Sequence, residues 1–177
     1  MFGLWTDVGE LTRGGRRLVG GLLLLYVLAV GLMCFSPQID ISGIETPGIH
    51  YYGRVPVLLM PLNSLVRFGD VSSLGQLVWI FCQNAMNILL LFPLVFLALW
   101  LFPEIRSWEK SGLLALALSL CIECGQVLLD VLFDFNRVFE VDDLWTNTLG
   151  GLIAYLLYSG LHKRIKKILQ SNANESL

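Results

Sequence analysis

The apolar positions of this chain gather into four long runs. The first covers residues 18–35 and carries no charge. The second covers 84–102, the third about 111–132 with Glu123 inside it, and the fourth 144–161. Each is about 18–22 residues, the length with which a helix crosses about 30 Å of hydrocarbon. One such helix can be buried in a soluble domain, but four in 177 residues leave almost nothing to cover them. The pattern predicts an all-α integral membrane four-helix bundle. Residues 1–17 form an N-terminal segment, 18–162 the transmembrane domain and 163–177 a basic tail, whose end "QSNANESL" reads as disordered.

Composition agrees. Hydrophobic residues make up 55% of the chain and charged residues only 15%, where soluble domains carry nearer a quarter charged. Mean hydropathy is +0.69. A net charge of -2 argues against a nucleic-acid partner. Where the charges fall says more than their sum. Arg13, Arg16 and Arg17 precede the first run, Arg106 and Lys110 stand between the second and third, and Lys163, Arg164, Lys166 and Lys167 follow the fourth. Only Arg54, Arg67 and Arg137 fall on the other side. Basic residues stay cytoplasmic, so both termini are expected there, with 36–83 and 133–141 outside.

Residues 18–35 also have the basic start and apolar middle of a signal peptide. No A-x-A-like site follows, and Met33 is bulky where a lipoprotein signal ahead of Cys34 needs a small residue, so the run reads as a retained anchor. Cys34 and Cys82 both fall near the outer surface and a disulfide between them is open; "CIEC", Cys121 to Cys124, lies deep in an apolar helix and reads as packing thiols. Trp79, Phe81 and Gln83 fit either an amphipathic stretch lying at the interface before the second span or an extension of that span.

The polar residues inside the runs carry the candidate chemistry. Asn87 stands just inside the second helix. Glu123 and Gln126 lie ten and seven residues before Phe133, about 15 Å and 10 Å deep at a rise of about 1.5 Å per residue. Asp130 continues their face. Asp142 and Asp143 open the fourth run, and Asn147 shares the face of Asp143. Three helices thus place carboxylates and amides in the outer half of the bilayer. A carboxylate facing lipid is costly, so Glu123 is expected to face the bundle, toward Asn147 or Asp143. Plainer roles exist for each. An aspartate can cap the helix, Asn147 can glue helices beside Gly150, Gly151 and Ala154, and Arg137 can pair with Asp142 or Glu140. Ser119 reads as a hydroxyl bonded back to its own helix.

The same residues carry a family resemblance. "NILLLFP" (Asn87 to Pro93), "ECGQ" (Glu123 to Gln126) and "RVFEVDDLWTNTLGG" (Arg137 to Gly151) resemble, in order and spacing, the three signature blocks of the VanZ-like family. Those blocks are N-x5-P, E-x-x-Q, and an Arg with an acidic pair leading into D-x3-N-T-x-G-G. Asn87, Pro93, Glu123, Gln126, Arg137, Asp143, Asn147, Thr148 and Gly150 match. Val95, Leu91 and Glu140 depart, standing where Gly, Phe and Asp are usual. The resemblance implies a small multi-span protein of the bacterial cytoplasmic membrane, in a family named for a member linked to teicoplanin resistance.

Together these readings point to a non-enzymatic envelope protein. Its outward-facing pocket, built from Asn87, Glu123, Gln126, Arg137, Asp142, Asp143 and Asn147, is expected to bind a lipid-linked wall precursor or a lipoglycopeptide. Amides and carboxylates suit the hydroxyls and amides of sugars and peptides. Membrane lipids are the surrounding partner, and no cofactor and no resident metal are expected. An alternative is a metal-dependent enzyme acting on a lipid-linked phosphate or glycan through Asp142, Asp143 and Glu123, oxygen ligands of the kind Mg²⁺ takes. No D-D-x-x-D run or nucleophile triad supports it, and His50 and His162 lie outside the spans. A third reading is an assembly subunit docking through Gly20, Gly21 and the Gly150 face. The topology can be tested directly: reporter fusions at Leu177 and beside His50 should register on opposite sides of the membrane. Registration on one side would remove both the topology and the outer pocket.

Overall fold

The computed structural model describes residues 3–38, 48–66 and 74–175. Four long helices dominate it. They are α1 (Arg13–Cys34), α3 (Leu74–Leu101), α4 (Trp108–Phe133) and α5 (Val141–Glu175); α2 (Asn63–Val66) is a single turn. α3 packs against α5 and α1, and α4 packs against α5. The shared core is Leu91, Val95 and Leu99 of α3, Ala115 of α4, and Ala154 and Tyr158 of α5. Leucines of α1 such as Leu24, Leu25 and Leu28 point outward, exposed, as side chains facing acyl chains do.

Three helices, α1, α3 and α4, are long and apolar enough to cross a membrane. α5 has the length but not the apolarity. Its first turns hold Asp142, Asp143, Thr146, Asn147 and Thr148, and its later turns the basic tail. The tail is therefore not the disordered end expected from its composition, because α5 continues through it to Glu175. α3 likewise begins ten residues before the apolar run, so Trp79, Phe81 and Gln83 sit on its early turns rather than on a separate interfacial helix.

The fold is not wholly helical. β1 (His50–Tyr52) and β2 (Val55–Leu58) form an antiparallel hairpin in which His50 pairs with Val57 and Tyr52 with Val55. The turn uses Gly53 at a φ of +64°, a conformation that glycine adopts without steric cost. β3 (Phe139–Glu140) adds in parallel to β2, with Val57 opposite Phe139 and Leu58 opposite Glu140. This small sheet covers the end of the assembly where α4 stops and α5 starts. That end is called the sheet end below, and the opposite one the terminal end. Arg67 and the rest of 67–73 lie outside the described residues.

Two backbone features set the helix spacing. A Cβ on Gly150 would collide with the carbonyl oxygen of Ile88, and one on Gly151 with the Cβ of Ala115. Only glycines let α5 approach α3 and α4 so closely. Pro93 sits inside α3 and has no N–H for the Leu89 carbonyl. The Tyr26 hydroxyl of α1 donates to the adjacent Leu90 carbonyl at 2.9 Å and reaches that of Leu89 at 3.4 Å.

Candidate functional site

The sheet end gathers most of the polar residues that the sequence singled out. The close contact at Gly150 brings the start of α5 against α3, and there the Asn87 side-chain amide donates to the Asp143 carboxylate. Asn147, one turn further along, donates from Nδ2 to Ser119 Oγ of α4 at 2.9 Å. Ser119 in turn donates to the Asp143 carbonyl at 3.2 Å. It therefore bridges α4 to α5 instead of bonding back into its own helix. Glu123, four residues on, is 1% exposed and faces the interior as expected, but its bonded partner is the backbone of β3. The Glu140 N–H donates to its Oε2 at 3.1 Å.

Glu140 is the residue that sequence reasoning passed over. It is buried, and Gln83 Nε2 of α3 donates to its Oε1 at 2.8 Å. Burial pushes its carboxyl up to about 7; the Gln83 bond opposes the shift and nearby Asp142 adds to it. The signal was present in "FEVDD", three acids in four positions. Reading Glu140 as a mild departure from a family aspartate hid it. Glu123, Glu140 and Asp143 thus converge from α4, β3 and α5 within electrostatic reach of one another. Among the described residues no cation is ion-paired with any of them. Two buried oxygens, Asn147 Oδ1 and Asp130 Oδ2, also have no hydrogen-bond partner.

Three of the proposed site residues are not part of this cluster. Asp142 neither caps its own helix nor holds Arg137. Its Oδ1 accepts from the Leu62 N–H at 2.7 Å and from Trp145 Nε1 at 2.9 Å, and its Oδ2 accepts from the Asn63 N–H at 2.9 Å. Leu62 has a φ of +54°, a left-handed conformation costly for a side chain of its size. Asp142 therefore pins the loop before α2 onto the head of α5. Arg137 pairs with neither Asp142 nor Glu140. Its guanidinium donates to the Met33 carbonyl at 2.6 Å and the Ser36 carbonyl at 2.8 Å, and its N–H to Asp130 Oδ1 at 2.9 Å. Gln126 Nε2 donates to the Cys34 carbonyl at 3.0 Å. Both satisfy carbonyls at the end of α1, where a helix carries partial negative charge. Cys34 and Cys82 are free thiols, as are Cys121 and Cys124.

The three motif blocks thus have distinct geometric jobs. Asn87, Glu123, Asp143 and Asn147 form a polar layer in which Glu123 and Asn147 are buried and the other two half-buried, Arg137 and Gln126 dock α1, and Gly150 and Pro93 shape the helix contacts. A family model described as VanZ/LLP1 matches residues 22–164, most of the chain and all three blocks. The chain belongs to the VanZ/LLP1 family. No curated protein and no solved structure matches it. Together with the three membrane-spanning-length helices, the match makes this a VanZ-like membrane protein. The matched stretch ends at Arg164, inside α5, so most of the basic tail lies beyond the family's shared part.

The geometry changes what a substitution at Asp142 should do. Asparagine caps helices about as well as aspartate, so a capping role alone would make Asp142→Asn a mild change. With three donors shared between two carboxylate oxygens, the amide leaves at least one backbone N–H without an acceptor. A loss of about 1–3 kcal/mol is expected for such an orphaned donor. Thermal unfolding of the variant in detergent measures it. A midpoint unchanged from the parent would show that Asp142 pins nothing.

Proposed function

We propose that this protein is a multi-pass protein of the bacterial cytoplasmic membrane, with α5 as its fourth span and both termini in the cytoplasm. The sheet end then faces outward. There the polar layer binds the sugar or peptide portion of a lipid-linked wall precursor or a lipoglycopeptide, in the manner of a receptor rather than an enzyme. The supporting observation is the convergence of three carboxyl side chains, Glu123 and Glu140 buried and Asp143 half-buried, in an apolar helix assembly with no ion-paired cation among the described residues. Such an arrangement is expensive in hydrocarbon. A purely structural contact would be served as well by apolar side chains.

The unused acceptors Asn147 Oδ1 and Asp130 Oδ2 suit donors such as hydroxyl and amide N–H groups. A ligand would enter by displacing the Leu62–Asn63 segment, which Asp142 holds onto the head of α5. A ligand would exchange its own donors for the Asn87 and Ser119 bonds. A link to teicoplanin-type resistance belongs to this reading. The metal-enzyme alternative is less favoured by the donor set, since among the described residues no three of His, Cys, Asp or Glu are placed to hold an ion. The assembly reading is weakened at Gly150, whose close face is already occupied by α3.

The test is binding of teicoplanin to the purified full chain in detergent, read by microcalorimetry, beside Asp143→Asn and Asn147→Ala. Parent binding weakened at least about tenfold in both variants, at unchanged membrane abundance, is expected from the loss of a charged or buried hydrogen bond. Absence of parent binding, or full tolerance of both changes, would return the layer to a structural role.

A further inference from the structure

At the terminal end two cavities stand side by side. One, of about 320 Å³, is lined by Tyr155, Tyr158, Ser159, His162, Lys163 and Lys166 of α5, closed by Glu10 and Arg106. The other, of about 260 Å³, lies among apolar side chains including Trp5, Val19, Phe96 and Leu161. Trp100 is the wall between them. It lines the apolar cavity, stacks on His162 with ring centres 5.6 Å apart, and meets Tyr158 edge-on at 4.6 Å. One stretch of α5 serves both sides: Leu161 and Ile165 face the apolar cavity, while His162 and Lys166 face the polar one.

The charges in the polar cavity do not cancel. Arg106 is already engaged. It forms two 2.8 Å bonds to the Glu10 carboxylate and donates to the Leu99 carbonyl at 2.9 Å. That pair is a clamp between the N-terminal segment and the end of α3, and Glu10 spends its charge there. Lys163 and Lys166 form no ion pair among the described residues. His162 Nε2 is buried without a hydrogen bond, 3.6 Å from Glu10, while its Nδ1 is engaged by the Tyr158 hydroxyl. With Glu10 as its one carboxylate against Arg106, Lys163 and Lys166, the cavity keeps a net positive charge, with two lysines that form no ion pair among the described residues, beside an apolar slot. It lies at the end of three membrane-length helices, among the basic residues. Basic pockets between spans next to an anionic leaflet take phospholipid headgroups.

We infer that the two cavities form one binding site for an anionic phospholipid, its phosphate held by Lys163, Lys166 and His162 and its acyl chain lying against Trp100 and Phe96. The combined volume suits a headgroup with the first part of a chain, within the range of small-molecule sites. The site is at the opposite end from the Glu123–Glu140–Asp143 layer, so it stands or falls independently of the function proposed above.

The test uses the full chain in uncharged detergent and native mass spectrometry, with phosphatidylglycerol and phosphatidylcholine of matched acyl chains in competition. The chain should retain phosphatidylglycerol by about 25-fold, at about fivefold per lysine. K163A/K166A should lose that preference and K163R/K166R should keep it. R164A/K167A removes the same charge from the same helix outside both cavities and should leave the preference within about twofold. Equal losses in the two alanine pairs would reduce the effect to diffuse surface attraction and overturn the site. So would displacement of the lipid by millimolar inorganic phosphate, which would mark a free-phosphate site. A parent chain with no preference would overturn it outright.

Discussion

The close approach of α5 to α3 at Gly150 is the constraint on which the sheet end depends. A glycine there lets the α5 backbone meet the Ile88 carbonyl directly. Only at that separation do the Asn87 amide and the Asp143 carboxylate reach each other across the helices. In an apolar solvent, association rests on packing and on a few interhelical hydrogen bonds, and here the two fall on adjacent residues of α3, Asn87 and Ile88, and about two turns apart on α5. From that contact the rest follows. Asn147 meets Ser119, Ser119 meets the Asp143 carbonyl, and Glu123 receives the first N–H of the chain turning into α5.

The ends of the molecule have opposite chemistry, and the chain explains why. Acids collect where α4 hands over to α5, on the later turns of α4, on β3 and on the first turn of α5. Bases collect in the first turns of α1, the short link between α3 and α4 with the start of α4, and the last turns of α5. Arg106 ties the segment before α1 to the end of α3, through Glu10 and the carbonyls that end α3. The sheet end is tied by Asp142 and Arg137, which hold backbone groups of the Leu62 loop and the end of α1. Several residues of the signature blocks are thus fixed by backbone geometry, and fewer are left free for recognition than the motif alone implies.

The helices were legible because crossing hydrocarbon demands continuous apolar runs: runs 18–35, 84–102 and 111–132 fall, to within a residue, on α1, α3 and α4, and 144–161 falls on α5, which is less apolar. The ends of those helices were not. α3 starts early because Gln76 and Gln83 tolerate a helical turn beyond the apolar stretch, and α5 runs on because its tail is rich in helix formers such as Lys166, Lys167 and Leu169. The sheet was invisible, since β3 has two residues and owes its pairing to β2, far away in sequence. Face arithmetic put Asn147 with Asp143 correctly. It could not show that Arg137 turns toward α1 or that Asp142 serves the Leu62 loop, because both partners are backbone groups about 80 to 104 residues distant. Glu140 was missed for the same reason: its importance lies in burial, which a loop position does not advertise.

The claim that the Gly150 contact assembles the polar layer is tested most directly by a double-mutant cycle between Gly150→Ala and Asn87→Ala, read as unfolding free energy of the full chain in detergent. If the glycine contact is what brings Asn87 to Asp143, the alanine at 150 already breaks that bond, and the second substitution should add little. The double variant is then expected to fall short of the summed losses by at least about 1 kcal/mol, well outside the roughly 0.3–0.5 kcal/mol scatter of independent sites. Losses that simply add would contradict it, and would leave the helix contact and the hydrogen bond as neighbours without a common cause.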